Sequence, residues 1–227
     1  MQNKTTTTTV SKAVIDRLPR YYRYLRELVS KDVLRISSKE LAKLMGVTAS
    51  QIRQDLGYFG GFGQQGYGYN VKDLYKTIGD ILGMNASYSA ILIGAGNLGK
   101  SLATGTIFVG RGVHLSGVFD NDPKKIGSEV GEFTVLPMSE LEASVKEWKP
   151  TIAVLTVPRV AAKEVAAMLS SFDFKGIWNF TGEELTAGID VPKDWSVENV
   201  QFGDLLMTLC YEIHVKEQTK LDESYEN

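Results

Sequence analysis

The chain has 227 residues, enough for one medium domain or two small ones, each able to bury a core. Its 43% hydrophobic and 23% charged residues are ordinary globular composition; a single cysteine, Cys210, excludes an intrachain disulfide framework, and the lack of any run of 18 apolar residues excludes a membrane-spanning helix. The net charge of −2 hides a split: residues 1–85 hold 13 Lys and Arg against 7 Asp and Glu, and residues 86–227 hold 12 against 20. The basic first third either meets a polyanion or reflects the uneven charge common in two-domain chains.

Gln2 to Thr9 is polar and threonine-rich and reads as a loose tail without the basic-then-apolar pattern of a leader, so a soluble cytoplasmic protein is expected. From Ser11 to Val29, apolar residues recur at helical spacing (Leu18, Tyr21, Leu25, Leu28), and Pro19 either starts or kinks the helix. Ser37 or Ser38 caps a second helix over Lys39–Met45, with Glu40 near its N-terminus and Gly46 as its stop. Thr48 caps a third helix reaching about Phe59, with Ile52 and Leu56 turned inward. The glycine-rich aromatic stretch Gly57–Tyr69 suits a hairpin turning near Gly66 or Gly68. A further helix, about Val71–Leu82, stops at Gly83, and Gly83–Ser87 reads as a linker.

From Tyr88 the pattern changes. Apolar strands are expected at Tyr88–Ile93, Val113–Phe119, Phe133–Leu136, Ile152–Val157 and Gly176–Phe180, with a short one near Val197–Val200. Helices near Leu98–Phe108, Glu140–Trp148 and Val160–Phe172 alternate with them, which predicts a doubly wound parallel sheet. A last helix runs from about Phe202 to Lys220, with an apolar stripe of Phe202, Leu205, Leu206, Leu209, Cys210 and Ile213. Cys210 is expected to be a buried hydrophobe within that stripe.

Gly94-Ala95-Gly96-Asn97-Leu98-Gly99 directly follows the strand Ile91-Leu92-Ile93 and opens a helix. In such a G-x-G-x-x-G turn the first glycine permits the tight turn, the second lets a pyrophosphate approach the backbone, and the third lets helix and strand pack closely. Asp120 ends the next strand 21 residues after Gly99, where a carboxylate accepts from an adenosine ribose and repels a 2′-phosphate. NAD(H) is therefore favoured over NADP(H), with Lys124 and Lys125 weakening that preference slightly. Thr156-Val157-Pro158 and Asn179-Phe180 lie at carboxyl ends of strands, where a nicotinamide half is expected or where loop chemistry alone explains them.

The second and third helices, joined by a short glycine turn, form a helix-turn-helix pattern, and Ser50, Gln51, Arg53 and Gln54 are residue types that read a major groove. An ordinary helical hairpin with a solvated face gives the same pattern.

Together these segments resemble the Rex family of redox-sensing repressors. The resemblance rests on Arg17-Leu18-Pro19 with Tyr21-Tyr22-Arg23-Tyr24-Leu25, Ser37–Ala42, Gln51–Leu56, Tyr58-Phe59-Gly60 and Gly66–Val71. In the second half it rests on Gly94–Gly99, Phe119-Asp120 with Asp122-Pro123 and Lys125-Ile126-Gly127, Leu155–Pro158, Asn179-Phe180 and Glu198-Asn199-Val200, so that it spans about Ser11 to Lys216. It implies an N-terminal winged helix-turn-helix domain (1–84), a Rossmann domain (85–201) and a C-terminal helix (202–227) exchanged between the subunits of a homodimer. It further implies a dimer on a palindromic operator that is released when NADH binds, with NAD+ competing without release. The candidate cofactor contacts are Gly94, Ala95, Gly96, Asn97, Leu98, Gly99, Asp120, Asn121, Lys125, Thr156, Val157, Pro158, Asn179, Phe180 and Phe202. The candidate DNA contacts are Ser38, Thr48, Ser50, Gln51, Arg53, Gln54, Tyr58, Phe59 and Tyr69.

The chain departs from the family pattern where relatives carry a tyrosine (here Thr104-Gly105-Thr106) and an aspartate (here Gln201), both partners of an arginine matching Arg23. Gln54 and Gln64-Gln65 replace residues that are often basic, which implies fewer phosphate contacts. Two other readings compete: an NAD-dependent dehydrogenase, for which the two histidines, His114 and His214, offer no evident acid or base, and a repressor sensing NADP(H) or an adenylate. No metal cluster stands out.

Overall fold

In the computed structural model, which describes residues 10–60, 63–64, 67–185 and 192–225, the chain separates into two units, Met1–Ala86 and Ser87–Asn227. The expected tail Gln2–Thr9 and the turn residue Gly66 lie outside the described residues.

The first unit begins with α1 (Lys12–Ile15) and α2 (Leu18–Ser30). Pro19 sits in the first turn of α2, where its missing N–H is not needed, so the helix starts there and is not kinked. After β1 (Arg35–Ile36) come α3 (Ser38–Met45) and α4 (Ala49–Gly57). Ser37 is the cap of α3: its Oγ accepts from the Glu40 amide at 3.1 Å, and its own amide donates to Glu40 Oε2 at 2.8 Å. Gly46 closes α3 with φ of 65°, and Thr48 Oγ1 accepts the Gln51 amide at 3.1 Å to open α4.

β2 (Gly63–Gln64) and β3 (Gly68–Asn70) follow, and α5 (Val71–Ile81) completes the unit. The strand order is β1-β3-β2, antiparallel throughout. A Cβ at Gly68, where φ is 68°, would lie 2.6 Å from the Ile36 carbonyl oxygen, so glycine lets β3 approach β1. Leu18, Tyr21 and Leu25 of α2 pack with Leu41, Ile52, Leu56, Leu74 and Ile78 in one buried core. The arrangement is a winged helix-turn-helix.

The second unit runs β4 (Tyr88–Ile93), α6 (Asn97–Thr104), β5 (Val113–Asp120), β6 (Glu129–Val130), β7 (Phe133–Pro137), α7 (Leu141–Trp148), β8 (Ile152–Leu155), α8 (Ala162–Leu169), β9 (Gly176–Asn179), β10 (Ser196–Asn199) and α9 (Phe202–Tyr225). The sheet order is β10-β9-β8-β4-β5-β7-β6, parallel except for β6, which is antiparallel to β7. β4 is central and fully buried from Ala90 to Ile93, with apolar clusters on both faces of the sheet. From β4 the chain winds outward through β5 and β7, then returns to β8 and winds the other way. That reversal opens a crevice at the carboxyl ends of β4, β5 and β8. This is the Rossmann-type doubly wound sheet.

Three details differ from the sequence reading. The two-residue strands β1 and β6 are too short to show a period. α6 stops at Thr104, short of the expected Phe108, because Gly105 ends it in an extended conformation. Cys210 is exposed, not buried, because α9 is exposed on the single chain from Phe202 to Thr219.

Candidate nucleotide cleft and nucleic-acid interface

The cleft is built on the turn leaving β4. Gly94 turns the chain with φ of 108°, and its amide donates to the Phe119 carbonyl at 2.8 Å. A Cβ on Gly94 would lie 2.7 Å from the Thr156 carbonyl carbon, and one on Gly99 would lie 1.9 Å from the Gly94 oxygen. Both glycines are therefore forced by packing. Thr156 fastens the same turn, its hydroxyl donating to the Gly94 carbonyl at 2.7 Å. Gly96 is different, since a Cβ there would meet nothing within 4 Å. Its missing side chain leaves the backbone open to the cleft at the first turn of α6, which no side chain among the described residues caps. Open backbone at an uncapped helix N-terminus is the arrangement that receives a pyrophosphate.

The cavity in front of this turn has a volume of about 610 Å³. Gly94, Gly96, Asn97 and Leu98 form one wall, Asp120, Asn121, Asp122 and Lys125 a second, and Thr156, Val157 and Pro158 a third. Met138, Val160, Ala161 and Val165 add an apolar lining. Ala95 is buried behind the wall and Gly99 within the packing of α6.

Asp120 is buried and holds the corner together. Its Oδ2 accepts from the Ala95 amide at 2.7 Å and from Lys125 Nζ at 3.0 Å, and its Oδ1 accepts from the Asp122 amide at 2.8 Å. Burial pushes this carboxyl up, but the Asp122 amide, the Lys125 ammonium and the Ala95 amide together outweigh it and hold it below the usual carboxylate range. Lys125 Nζ also lies 3.9 Å from Asp122, so its charge is met by two carboxylates. The wall keeps a net negative charge, which suits ribose hydroxyls and opposes a 2′-phosphate.

Asn179, Phe180 and Phe202 do not line this cavity. Asn179 is buried; it donates to the Glu183 carbonyl and to Asn199 Oδ1, and it accepts from the Thr181 amide and hydroxyl. Its amide organises the loop after β9. The Phe180 ring stands 4.6 Å from Trp178 and 6.2 Å from Phe202. Sequence reasoning noted Asp122 within a motif but did not count it among the cofactor contacts, although it lies two residues beyond Asp120 and lines the cavity. It also missed Met138, Val160, Ala161 and Val165, whose types carry no chemical signal and which only the fold brings to the cleft.

In the first unit, Ser50, Arg53, Gln54 and Tyr58 are exposed on α4 and its C-terminal end. Arg53 Nη1 donates to Ser38 Oγ at 3.3 Å, so α3 and α4 present these two side chains together. The wing carries an exposed cation, Arg35, which donates to the Tyr67 carbonyl and lies over the Tyr67 ring. Tyr69 is buried and Phe59 half-buried, and both pack on the core because the pleat of β3 and the end of α4 turn them inward. Gln51 is half-buried, and its Nε2 donates to Asp55 Oδ1 at 2.7 Å.

Asp55 is fully buried. It accepts from Arg17 Nε and Nη2, each at 2.7 Å, and from the Tyr21 hydroxyl at 2.9 Å. Burial pushes Asp55 up, and the hydrogen bonds from Arg17, Gln51 and Tyr21 outweigh it, so the carboxylate stays ionised. Sequence spacing gave no sign of this network, since it joins residues 38 positions apart.

Residues 9–57 match the family described as putative DNA-binding protein N-terminus, and residues 85–182 match the CoA binding domain family. The chain is 48% identical over 202 residues to a protein of Clostridium perfringens (strain SM101) named redox-sensing transcriptional repressor Rex, covering 89% of this chain and 93% of the relative. Its fold is similar to that of RSP solved in complex with β-NAD+ and operator DNA, with a TM-score of 0.84, 46% identity, and coverage of 96% of this chain and 98% of that one. RSP in complex with β-NADH matches with a TM-score of 0.83, 44% identity, and coverage of 94% and 98%.

Proposed function

Because the chain belongs to the Rex family of redox-sensing transcriptional repressors, we propose that it binds operator DNA through its first unit and reads the NADH/NAD+ ratio through its second, leaving the operator when NADH binds. The observation that carries this reading is the likeness, over nearly the whole chain, to a repressor solved with operator DNA and NAD+ and also with NADH.

The site geometry supports a division of labour. The open backbone at Gly96 and the first turn of α6 receive the pyrophosphate. Asp120, Asn121 and Asp122 face the adenosine ribose, and the paired state of Lys125 favours NAD(H) over NADP(H). Thr156, Val157 and Pro158 lead toward the nicotinamide. When bound, the dinucleotide supplies the redox signal, and the chain supplies only binding and transmission.

On the DNA side, α4 enters the major groove with Ser50, Arg53 and Gln54 toward the bases. Ser38, Thr48 and Tyr58 meet the backbone. A second copy of the chain covers α9, whose Leu205, Leu206, Met207 and Tyr211 are each at least 60% exposed. Exchange of α9 in a two-fold dimer places two recognition helices on a palindrome. We place the protein in the cytoplasm, and no described helix is long and apolar enough to cross a membrane.

The test is fluorescence anisotropy of a labelled palindromic operator titrated with each dinucleotide. Release by NADH and not by NAD+ is the expected result. Tight binding indifferent to both would move the effector elsewhere, with Gly105 and Gln201 the first residues to examine.

A further inference from the structure

Asp55 and Gln51 are the polar residues of α4 whose chemistry the reading above leaves unused, and they are hydrogen-bonded to each other. Asp55 is ionised and fully buried, and it lies on the inner side of the helix proposed to read DNA.

The residues around it impose an order. Arg17 grips the carboxylate with two nitrogens, and Tyr21 donates a third hydrogen bond, so the start of α2 and the residue that precedes it fix where both oxygens lie. An ionised carboxylate only accepts hydrogen bonds. The Gln51 atom facing Asp55 Oδ1 at 2.7 Å must therefore be Nε2, and the side-chain amide of Gln51 cannot flip. The backbone of Gln51 is held as well, by the Thr48 cap.

With one N–H committed to Asp55, Gln51 retains its carbonyl oxygen and one N–H. An acceptor beside a donor complements the major-groove edge of adenine, which presents an N6 amino donor and an N7 acceptor. It does not complement guanine, which presents two acceptors. A free glutamine samples many rotamers and both flips, and it loses that freedom when it binds; here the loss is incurred on folding.

We propose that Asp55, anchored by Arg17 and Tyr21, is a positioning residue that presets the Gln51 amide to read an adenine in the major groove. The proposal rests on the DNA-binding reading given above.

The test starts from an operator selected by the full-length protein out of a random duplex pool. Each adenine of a half-site is then replaced by 7-deazaadenine, which lacks the N7 acceptor, or by purine, which lacks the N6 amino group. At one adenine per half-site both replacements are expected to weaken binding about tenfold. Gln51→Ala abolishes the sensitivity at that adenine alone. Asp55→Asn has one acceptor oxygen where the carboxylate has two, so its NH2 meets one of the Arg17 nitrogens in either orientation and the fixed grip on Gln51 is broken; the same sensitivity is expected to be lost while the far-ultraviolet circular dichroism is unchanged. The double variant loses nothing more at that position.

If Asp55→Asn does not fold, Arg17→Lys replaces it, keeping the charge but losing the fork. It is expected to reduce discrimination at the same adenine. The proposal is overturned if Gln51→Ala leaves the analogue sensitivity intact, or if the Asp55 or Arg17 variant weakens all duplexes evenly with that sensitivity preserved. Failure of the unaltered protein to retain any duplex would overturn the DNA-binding reading and this proposal with it.

Discussion

Gly96 and Gly99 stand three residues apart and are glycine for opposite reasons. At Gly99 a Cβ would lie 1.9 Å from the Gly94 oxygen, so Gly99→Ala must push α6 off β4. At Gly96 the added methyl meets only open cleft. Gly96→Ala is thus expected to fold with an unchanged denaturation midpoint and to bind NADH at least tenfold more weakly, about the effect of losing a close phosphate approach. Gly99→Ala should lose stability and NADH binding together. Calorimetric titration beside urea denaturation separates the two. Asp120 adds a pH signature. Its folded pKa lies below the ordinary value of about 3.9, so the stability it contributes is present above that pH and is lost as pH falls through the folded pKa. Asp120→Ala should weaken NADH binding, leave NADH-free DNA binding intact, and flatten the acid-side loss of stability in denaturation measured from pH 6 to pH 2. The glycine pattern and Asp120 were legible in the sequence because the G-x-G-x-x-G spacing has a backbone meaning. Asp55 was not, because nothing local distinguishes a carboxylate turned inward toward Arg17 from the solvated acids around it.

Caps and breakers carried most of the element-level information. Ser37, Glu40, Gly46 and Thr48 mark the boundaries of α3 and α4, and Ser37→Ala is expected to cost about 1 kcal/mol in chemical denaturation, through loss of the Glu40 amide bond. The α2–α4 contact is held by the Arg17–Asp55 pair, and Arg17→Met should destabilise the first unit by about 3 kcal/mol because it strands a buried carboxylate. The two-residue strands β1 and β6 escaped because two residues define no alternation. The end of α6 was misjudged because apolar residues continue past Gly105, where a Cβ would come within 2.7 Å of the Ser101 oxygen. The last helix was readable as a helix, but its surroundings were not. Leu205, Leu206, Leu209 and Ile213 are exposed on the single chain, and each apolar side chain of this size gains about 2 kcal/mol when buried. Leu205→Glu combined with Leu209→Glu is therefore expected to yield a monomer in sedimentation equilibrium and to lose operator binding. A persistent dimer would place the subunit contact elsewhere.

Across the whole molecule, the change from helical spacing to alternating strands at Tyr88 separates two kinds of chemistry. The basic first unit displays Ser50, Arg53 and Gln54 on a helix-turn-helix, and the acidic second unit holds a cleft shaped for an adenosine dinucleotide. On the function proposed above, the protein responds to a ratio, because two dinucleotides compete for one cleft and only one of them favours the DNA-free state. The most direct test holds the total concentration of NADH plus NAD+ constant and saturating, and follows occupancy of a labelled operator as the ratio is varied. The account predicts that occupancy falls as the NADH fraction rises and follows the same curve when the total pool is doubled. Occupancy that is flat across the ratio, or that tracks the total pool, would contradict it.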